Sequence, residues 1–501
     1  MAAPLPAAPL AASEIGAEVA RSDAQPVNAK GRRSLYTKRQ KIYPKRAKGL
    51  FRRIKWIAMA GLLAIYYLAP WLRWDRGPLL PDQAILIDFP GRRFYFFFIE
   101  LWPEEVYYIT GLLILAALGL FLVTSLAGRA WCGYACPQTV WTDMFVTVER
   151  WLEGDRNQRM KLDQGPWTAN KFGRKLAKHA LWLVIAVATG GAWVFYFADA
   201  PTLARDLASF AAPTAAYLFI GLFTATTYLL GGIAREQVCT YMCPWPRIQA
   251  ALQDEDSLIV SYHPARGEPR GAHKKGESWE DRGHCVDCNQ CVAVCPMGID
   301  IREGQQLECI SCALCIDACN DVMAKVGLPR SLIGYDSLAG VMAGKADAKP
   351  KLRPIRPRTV LYAGLMALVG VVMLYALFTR ADLGLSVERD RNPLFVALSD
   401  GSIRNGYTVH VQNKHHDERT FVLSVEGLPG ARLAVVDAEN DLAAEMTVTA
   451  DQMESFRVFV TVPRGGVHGE ATDILFRLRG AGGEMVQYDS VFRAPDHGGR
   501  R

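Results

Sequence analysis

The sequence predicts a multi-domain membrane protein: an α-helical transmembrane bundle of five spans, a cysteine-rich insert, and a C-terminal all-β sandwich of immunoglobulin type. Three observations carry this. In a chain of 501 residues, 21% of them charged, long uncharged runs alternate with strongly basic stretches, the pattern of a membrane protein with polar appendages. All 12 cysteines lie between Cys132 and Cys319. After Ala381 the pattern changes to short alternating runs separated by Gly, Pro, Asn and Asp, which reads as β-strands and turns.

Residues 1–55 begin rich in Ala and Pro and end in a cluster of Lys and Arg. No apolar core with a cleavage site follows, so this is expected to be a disordered basic tail and not a signal peptide. Residues 56–250 hold four apolar runs at 56–72, 106–128, 179–198 and 213–234, the last preceded by uncharged residues from 207, and a fifth lies at 359–379. Each is long enough to cross a hydrocarbon core as helix. The stretch 94–102, apolar apart from Glu100, is too short to span and reads as interfacial or re-entrant.

Basic residues concentrate before the first span, whereas the loop between spans three and four offers only Arg205. The bias of Lys and Arg toward the inner side therefore predicts an inner-membrane protein with a cytoplasmic N-terminus and a periplasmic domain at 380–501. By alternation, all the cysteines fall in the cytoplasm, where a reducing environment disfavours disulfides and thiols read as metal ligands. The net charge of +7 suits an anionic inner leaflet, and no nucleic acid is needed to explain it.

Within the insert, residues 251–358, Cys285, Cys288, Cys291 and Cys295 form a C-x2-C-x2-C-x3-C-P run closed by Pro296, and Cys309, Cys312, Cys315 and Cys319 repeat the spacing. This is the two-cluster bacterial ferredoxin pattern, in which the fourth cysteine of each run ligates the other cluster. One 4Fe-4S cluster is thus expected on Cys285, Cys288, Cys291 and Cys319, and the other on Cys309, Cys312, Cys315 and Cys295. Asn320 stands where the second run would have proline, but no ligand is lost. Structural zinc, the alternative, is usually held by separated C-x2-C pairs. Such clusters move single electrons, so the ferredoxin-like insert reads as a wire.

The ends of spans two and four each carry C-x3-C-P, at Cys132 and Cys136 with Pro137, and at Cys239 and Cys243 with Pro244, both cysteines recurring at an offset of 107 residues. This is an internal duplication. Proline favours the first turn of a helix and the residues from Val140 to Trp151 keep helical apolar spacing, which places Cys136 near an N-cap where the thiolate is favoured. If the hairpins pair, four thiolates could converge on one ion. Soft sulfur suits Cu(I), Zn or an iron-sulfur centre, while the alternative is small buried residues at crowded helix ends. Met242 reads as a packing residue, His179 as a membrane-interface residue and His263 as a loop residue.

In the last domain TVHVQN, RTFVLSVEG, FRVFVTVP and DILFRLRG suggest an immunoglobulin-like sandwich without a disulfide, a module whose default role is docking. His415 and His416 are adjacent, so on a strand they would point to opposite faces and be solvated.

Taken in order, WCGYACPQTVWTD, CTYMCPWPRIQAALQDED, RGEPRG and CVDCNQCVAVCPMGIDIREGQQLECISCALCIDACNDVM resemble the CcoG family, also called FixG or RdxA, over nearly the whole chain. The resemblance implies a membrane cupric reductase, Cu(II) to Cu(I), that supports assembly of a cbb3-type cytochrome c oxidase. It further implies copper as substrate or bound ion near Cys132, Cys136, Cys239 and Cys243, with a copper chaperone, a copper P-type ATPase or oxidase assembly factors as partners. Nothing resembles a nicotinamide or flavin fingerprint, so the electron donor, cytoplasmic or quinol, stays unassigned, and a homodimer stays open. Two rival functions remain: an electron-transfer subunit that reduces a protein partner, and an oxidase assembly scaffold whose clusters only sense redox state.

Overall fold

A computed structural model describes residues 19, 21–28, 40–77, 80–273, 277–344, 353–436, 444–463, 465–466 and 469–495. The chain divides into two compact units, Met1–Met373 and Leu374–Arg501.

The first unit opens with α1 (Leu50–Leu68), followed by a three-stranded antiparallel meander, β1 (Ile85–Asp88), β2 (Arg93–Phe96) and β3 (Ile99–Leu101). Residues 93–96 and 99–101 are strands of this meander, with Phe94 opposite Leu101 and Tyr95 opposite Glu100. Alternation of side chains lets Glu100 bury against Arg93 at 2.7 Å while Phe96 faces outward. Next come α2 (Tyr107–Ala127), the short α3 (Ala130–Tyr134), α4 (Pro137–Glu153), α5 (Arg156–Gln164), α6 (Ala169–Val194), α7 (Ala200–Ala208) and α8 (Thr214–Thr227). Two π-helical stretches, Tyr228–Ala234 and Val238–Met242, lead to α9 (Trp245–Leu252).

The insert holds a two-stranded ribbon, β4 (Ile259–Tyr262) with β5 (Ile333–Asp336). Between and after these strands lie α10 (Pro264–Gly267), α11 (Gln290–Val294), α12 (Leu314–Lys325) and α13 (Leu338–Met342), and α14 (Pro357–Phe378) closes the series.

Among the described residues five helices are long and apolar enough to cross a membrane: Leu50–Trp71, Pro103–Ala127, Ala169–Val194, Thr214–Ala234 and Pro357–Phe378. Four begin before the uncharged runs do, because a helix continues through charges that find partners. In α6, Lys175 meets Glu153 at 2.8 Å and Lys178 meets it at 3.0 Å, so the helix starts ten residues ahead of His179. His179 itself is bonded to the Tyr228 hydroxyl at 2.7 Å. Large apolar side chains such as Leu113, Leu368 and Val371 point away from the protein, as lipid-facing positions do.

The disordered tail is also corrected where it is described. The backbone N–H of Ser22 donates to the Cys288 carbonyl at 2.9 Å, those of Val27 and Asn28 to the Gly298 carbonyl, and that of Lys45 to the Ala293 carbonyl. Ala24 is buried among the apolar residues around Cys285 and Cys291. Composition marked this segment as unable to form its own core, but it borrows one from the insert. Residues 1–18 and 29–39 lie outside the described residues.

One contact ties the insert to the first membrane helix. The carboxylate of Asp317, on α12 between Cys315 and Cys319, accepts from the backbone N–H groups of Phe51 and Arg52 at 3.2 and 2.8 Å. It thereby satisfies two of the free donors at the start of α1. A Cβ at Gly49 would lie 2.3 Å from the Asp317 carboxyl carbon, so glycine is required for the approach. Asp317→Ala is expected to cost about 1–2 kcal/mol, read as a lower thermal midpoint of the full chain in detergent. An unchanged midpoint would show that the cap is dispensable.

The second unit is a two-sheet sandwich. Strands β6 (Leu383–Arg389), β7 (Val396–Ala397), β8 (Ile403–Asn413), β10 (Arg432–Val435) and β12 (Gln452–Val462) form one sheet in the order β10-β12-β8-β6, with β7 on β8. Strands β9 (Arg419–Glu426), β11 (Ala444–Val448), β13 (Ala471–Gly480) and β14 (Met485–Arg493) form the other in the order β11-β9-β13-β14. Tyr407, Val409, Val411, Phe421, Val458, Phe476 and Phe492 fill the space between them, the alternate inward positions of each strand. His415 and His416 follow the end of β8 and are not on a strand. His416 is exposed, as expected, and lies 2.8 Å from Asp451, whereas His415 is half-buried with its Nε2 3.4 Å from Glu484.

Candidate redox site

The eight cysteines of the insert come together in two groups. Cys285, Cys288, Cys291 and Cys319 line one cavity of about 350 Å³. Cys295, Cys309, Cys312 and Cys315, with Cys291 at the edge, line a second of about 380 Å³. Local backbone makes this possible: Asp287, Asn289, Ser311 and Ala313 all adopt positive φ, which turns successive cysteines inward around one centre. None of the twelve cysteines is in a disulfide. Burial pushes Cys295 and Cys319 up to about 12 and raises Cys291 and Cys315 well above the ordinary thiol value. Thiolates so desolvated are unfavourable without a compensating cation, and iron supplies one. The donor set therefore fits two clusters, each held by four sulfurs.

The elbows sit directly on the second cavity. Cys132 and Cys239 pack in one apolar cluster with Ile310, Cys312, Leu314, Cys295, Cys309 and Cys315. Gly133 lies so close to the cysteine loop that a Cβ there would be 2.8 Å from the Ile310 carbonyl oxygen and 3.1 Å from the Cys312 Cα. Tyr335 donates to the Ser311 carbonyl at 2.8 Å and lies 3.5 Å from the Tyr134 hydroxyl, which holds the same loop from the other side. A further cavity of about 530 Å³ runs between Cys239 and Pro296, Met297, Ile310 and Leu314.

The two elbows are not equivalent. Cys132 lies in α3 and Cys136 is the N-cap residue of α4, with Pro137 in its first turn. Cys239 lies in a π-helical turn that ends at Cys243, and α9 starts only after Pro244. π-Helical turns are rare and cluster at functional sites. Cys132 and Cys239 are half-buried, and burial pushes both up to about 12. Cys243 is exposed, as is Met242 beside it.

Cys132 lies within electrostatic reach of Cys136 and Cys243, and Cys239 within reach of Cys132, Cys136 and Cys243. Yet among the described residues no three His, Cys, Asp or Glu side chains are gathered to hold a single metal ion. The same holds of the eight cysteines of the insert, and the four elbow cysteines share one neighbourhood.

Three residues of this site carried no sequence signal. Arg129, 4% exposed, donates to the carbonyls of Leu307, Cys309 (3.0 Å) and Pro246 (2.8 Å). Gln249, fully buried, accepts from the Cys132 thiol at 3.2 Å. Arg302 lies at the first cavity, paired with Asp287 and Asp300 at 2.7 Å each. His263 is buried, with its Nδ1 3.9 Å from Asp336, away from the elbow cysteines.

Comparison with known proteins places these features. Residues 234–338 match a family model described as a 4Fe-4S dicluster domain. Residues 109–154, which include the first elbow, match a 4Fe-4S binding domain. Residues 373–495 match the IG-like fold at the C-terminal of FixG, an oxidoreductase by its description. The chain is 52% identical to "Nitrogen fixation protein FixG" of Rhizobium meliloti (strain 1021), covering 97% of this chain and 98% of that one. It is 51% identical to "Protein RdxA" of Cereibacter sphaeroides, covering 93% of this chain and 99% of that one. "Protein RdxB" of the same organism is 52% identical over 92% of this chain and 97% of its own. Among solved structures, a FixG-related protein from Vibrio parahaemolyticus aligns with 23% of this chain and 97% of its own, at 22% identity and a TM-score of 0.20.

Proposed function

Because the chain belongs to the FixG/RdxA family and carries iron-sulfur domains, we propose that it is a membrane-bound cupric reductase. It would convert Cu(II) to Cu(I) in support of copper delivery to a cbb3-type cytochrome c oxidase. The observation that carries this reading is the packing of Cys132 and Cys239 against the loop that bears Cys309 and Cys312. When bound, the clusters supply one-electron transfer. The chain's own residues do the rest. Two sets of four cysteines hold the clusters, and the elbow cysteines take up copper beside the second set.

Cu(II) gains one electron and becomes Cu(I), the oxidation state that thiolate sulfur prefers. Because Cys132 and Cys239 are protonated when metal-free, copper uptake there releases protons. The exposed Cys243 and Met242 form the side from which copper reaches the elbows. The product would pass to a copper chaperone or a copper P-type ATPase, with the insert cytoplasmic and the β-sandwich periplasmic, placed to dock oxidase assembly factors.

The test is stopped-flow oxidation by Cu(II) of anaerobically purified, dithionite-reduced protein. Cys132→Ser with Cys239→Ser is expected to abolish the fast phase and the copper bound at stoichiometric load, with iron and sulfide content unchanged. Wild-type rate and copper content in that variant would defeat the assignment. The match of residues 109–154 to a 4Fe-4S binding domain favours a second reading, in which both elbows hold a third iron-sulfur centre. Iron content separates the two, at about eight atoms per chain for two clusters and about twelve for three.

A further inference from the structure

Two arginines, Arg129 buried and Arg302 half-buried, stand at the two cysteine cavities, and their surroundings differ. Arg302 is held between carboxylates: Nη1 meets Asp287 and Nη2 meets Asp300, each at 2.7 Å, with Asn289 as a third acceptor. Asp287 is shared with the exposed Arg21, and the half-buried Arg266 also lies within electrostatic reach of Cys319. The charges around the first cavity are thus largely offset or solvated. Arg129 is different. Its donors go to three carbonyl oxygens, and among the described residues no carboxylate lies within ion-pair distance of it. Glu308 is near enough to be felt but does not pair with it. An unpaired guanidinium, almost fully buried, therefore sits on the carbonyl of Cys309 and beside Cys132.

A positive charge stabilises whichever state of a neighbouring redox centre carries the extra electron, and burial leaves that effect poorly screened. Cluster potentials respond to local charge and to hydrogen bonding around the sulfurs. Resting on the ligand sets given above, we propose that Arg129 makes the cluster held by Cys295, Cys309, Cys312 and Cys315 the higher-potential one of the pair. The direction of electron flow follows. With both clusters bound, Cys285, Cys288, Cys291 and Cys319 would hold the one that gives up an electron, Cys295, Cys309, Cys312 and Cys315 would hold the one that gains it, and an external one-electron donor would replenish the first. Arg129 is a positioning residue here: it touches neither donor nor copper, and it acts through its charge on a ligand loop that it also clamps to Pro246.

The experiment is an anaerobic potentiometric titration of the full-length protein in detergent, followed by electron paramagnetic resonance, with no copper present. Arg129→Gln is expected to lower the higher of the two midpoints by the equivalent of about tenfold in equilibrium constant, about 59 mV for a one-electron couple, and to leave the lower midpoint in place. Arg129→Lys keeps the charge but loses the fork, so its midpoints should stay near wild type. Arg302→Gln should move only the lower midpoint. A shift of the lower midpoint in Arg129→Gln, or of neither, would overturn the proposal.

Should Arg129→Gln fail to assemble its clusters, Cys319→Ser removes a ligand from the first set alone. The intact cluster must then titrate at the higher wild-type midpoint, and titration at the lower one overturns the proposal. None of these readouts uses copper, so failure of the cupric reading and failure of this one are distinguishable.

Discussion

Gly133→Val is expected to slow oxidation of the reduced protein by Cu(II) by about 100-fold while leaving both clusters assembled. Gly133 lies in α3 between the two elbow cysteines, and a Cβ there would sit 2.8 Å from the Ile310 carbonyl oxygen, 3.1 Å from the Cys312 Cα and 3.1 Å from the Ser311 carbonyl carbon. All three are backbone atoms, so no side-chain rotation can make room. The elbow must instead withdraw from the cysteine loop, and a misplacement of about 1 Å in a reacting pair can cost about 100-fold in rate. The loss should appear in stopped-flow traces, with iron, sulfide and the cluster spectra as controls. Gly133→Ala adds only the Cβ and should fall between the two. A wild-type rate in Gly133→Val would mean that electrons leave the insert somewhere other than the elbow.

Glu149→Ala is expected to destabilise the first unit by about 3–5 kcal/mol, the usual cost of removing one partner from a buried ion pair. Glu149, on α4 and wholly buried, accepts from Arg159 at 2.9 Å and from Arg235 at 2.7 and 3.1 Å. Without it, the side-chain hydrogen bonds left to the two guanidinium groups among the described residues run from Arg159 to the Pro44 carbonyl and from Arg235 to the Gly232 carbonyl. Arg235 stands between the two π-helical stretches, at a φ of 49°, so loss of the pair loosens the second elbow as well as α4. The thermal midpoint in detergent should fall well below wild type, with Glu149→Gln between them because it keeps an acceptor.

Acid should produce the same loss. Burial alone would raise the Glu149 carboxyl, but Arg235 and then Arg159 outweigh it and hold the group at about 2. A depressed carboxyl pKa contributes stability that is complete above the ordinary glutamate value of about 4.5 and is lost as pH falls toward about 2. Wild type should therefore lose stability across that window, and Glu149→Ala should lose less of it. Equal acid sensitivity in the two would show that other carboxylates dominate.

Patterns that depend on near neighbours were legible in the sequence. The eight cysteines of the insert read as two sets because three of each set lie within seven residues, and a short loop can wrap only one centre. The five spans read as apolar runs, and the sandwich read as alternation, since both follow from backbone geometry within a few residues. The edges of these elements read less well. Charge counting placed the start of α6 at His179 because it cannot see that Glu153 receives Lys175 and Lys178. It gave 94–102 no strand because it cannot see that Tyr95 pairs with Glu100.

The amino-acid sequence by itself determined the local patterns of this protein: its two four-cysteine runs, its five long apolar stretches and its duplicated cysteine-proline elbows. Only the tertiary structure decided which parts meet. The elbows face the second cysteine set and not the first, Ser22 and Ala24 lie against the first, and Arg129 reaches Pro246 and Cys309 across 117 and 180 positions of chain. The physical reason lies in the forces. Ligand spacing and helical or strand periodicity are set by short-range covalent geometry. The meeting of distant surfaces is chosen by burial of apolar area, which is non-directional, and by hydrogen bonds whose partners no local pattern announces.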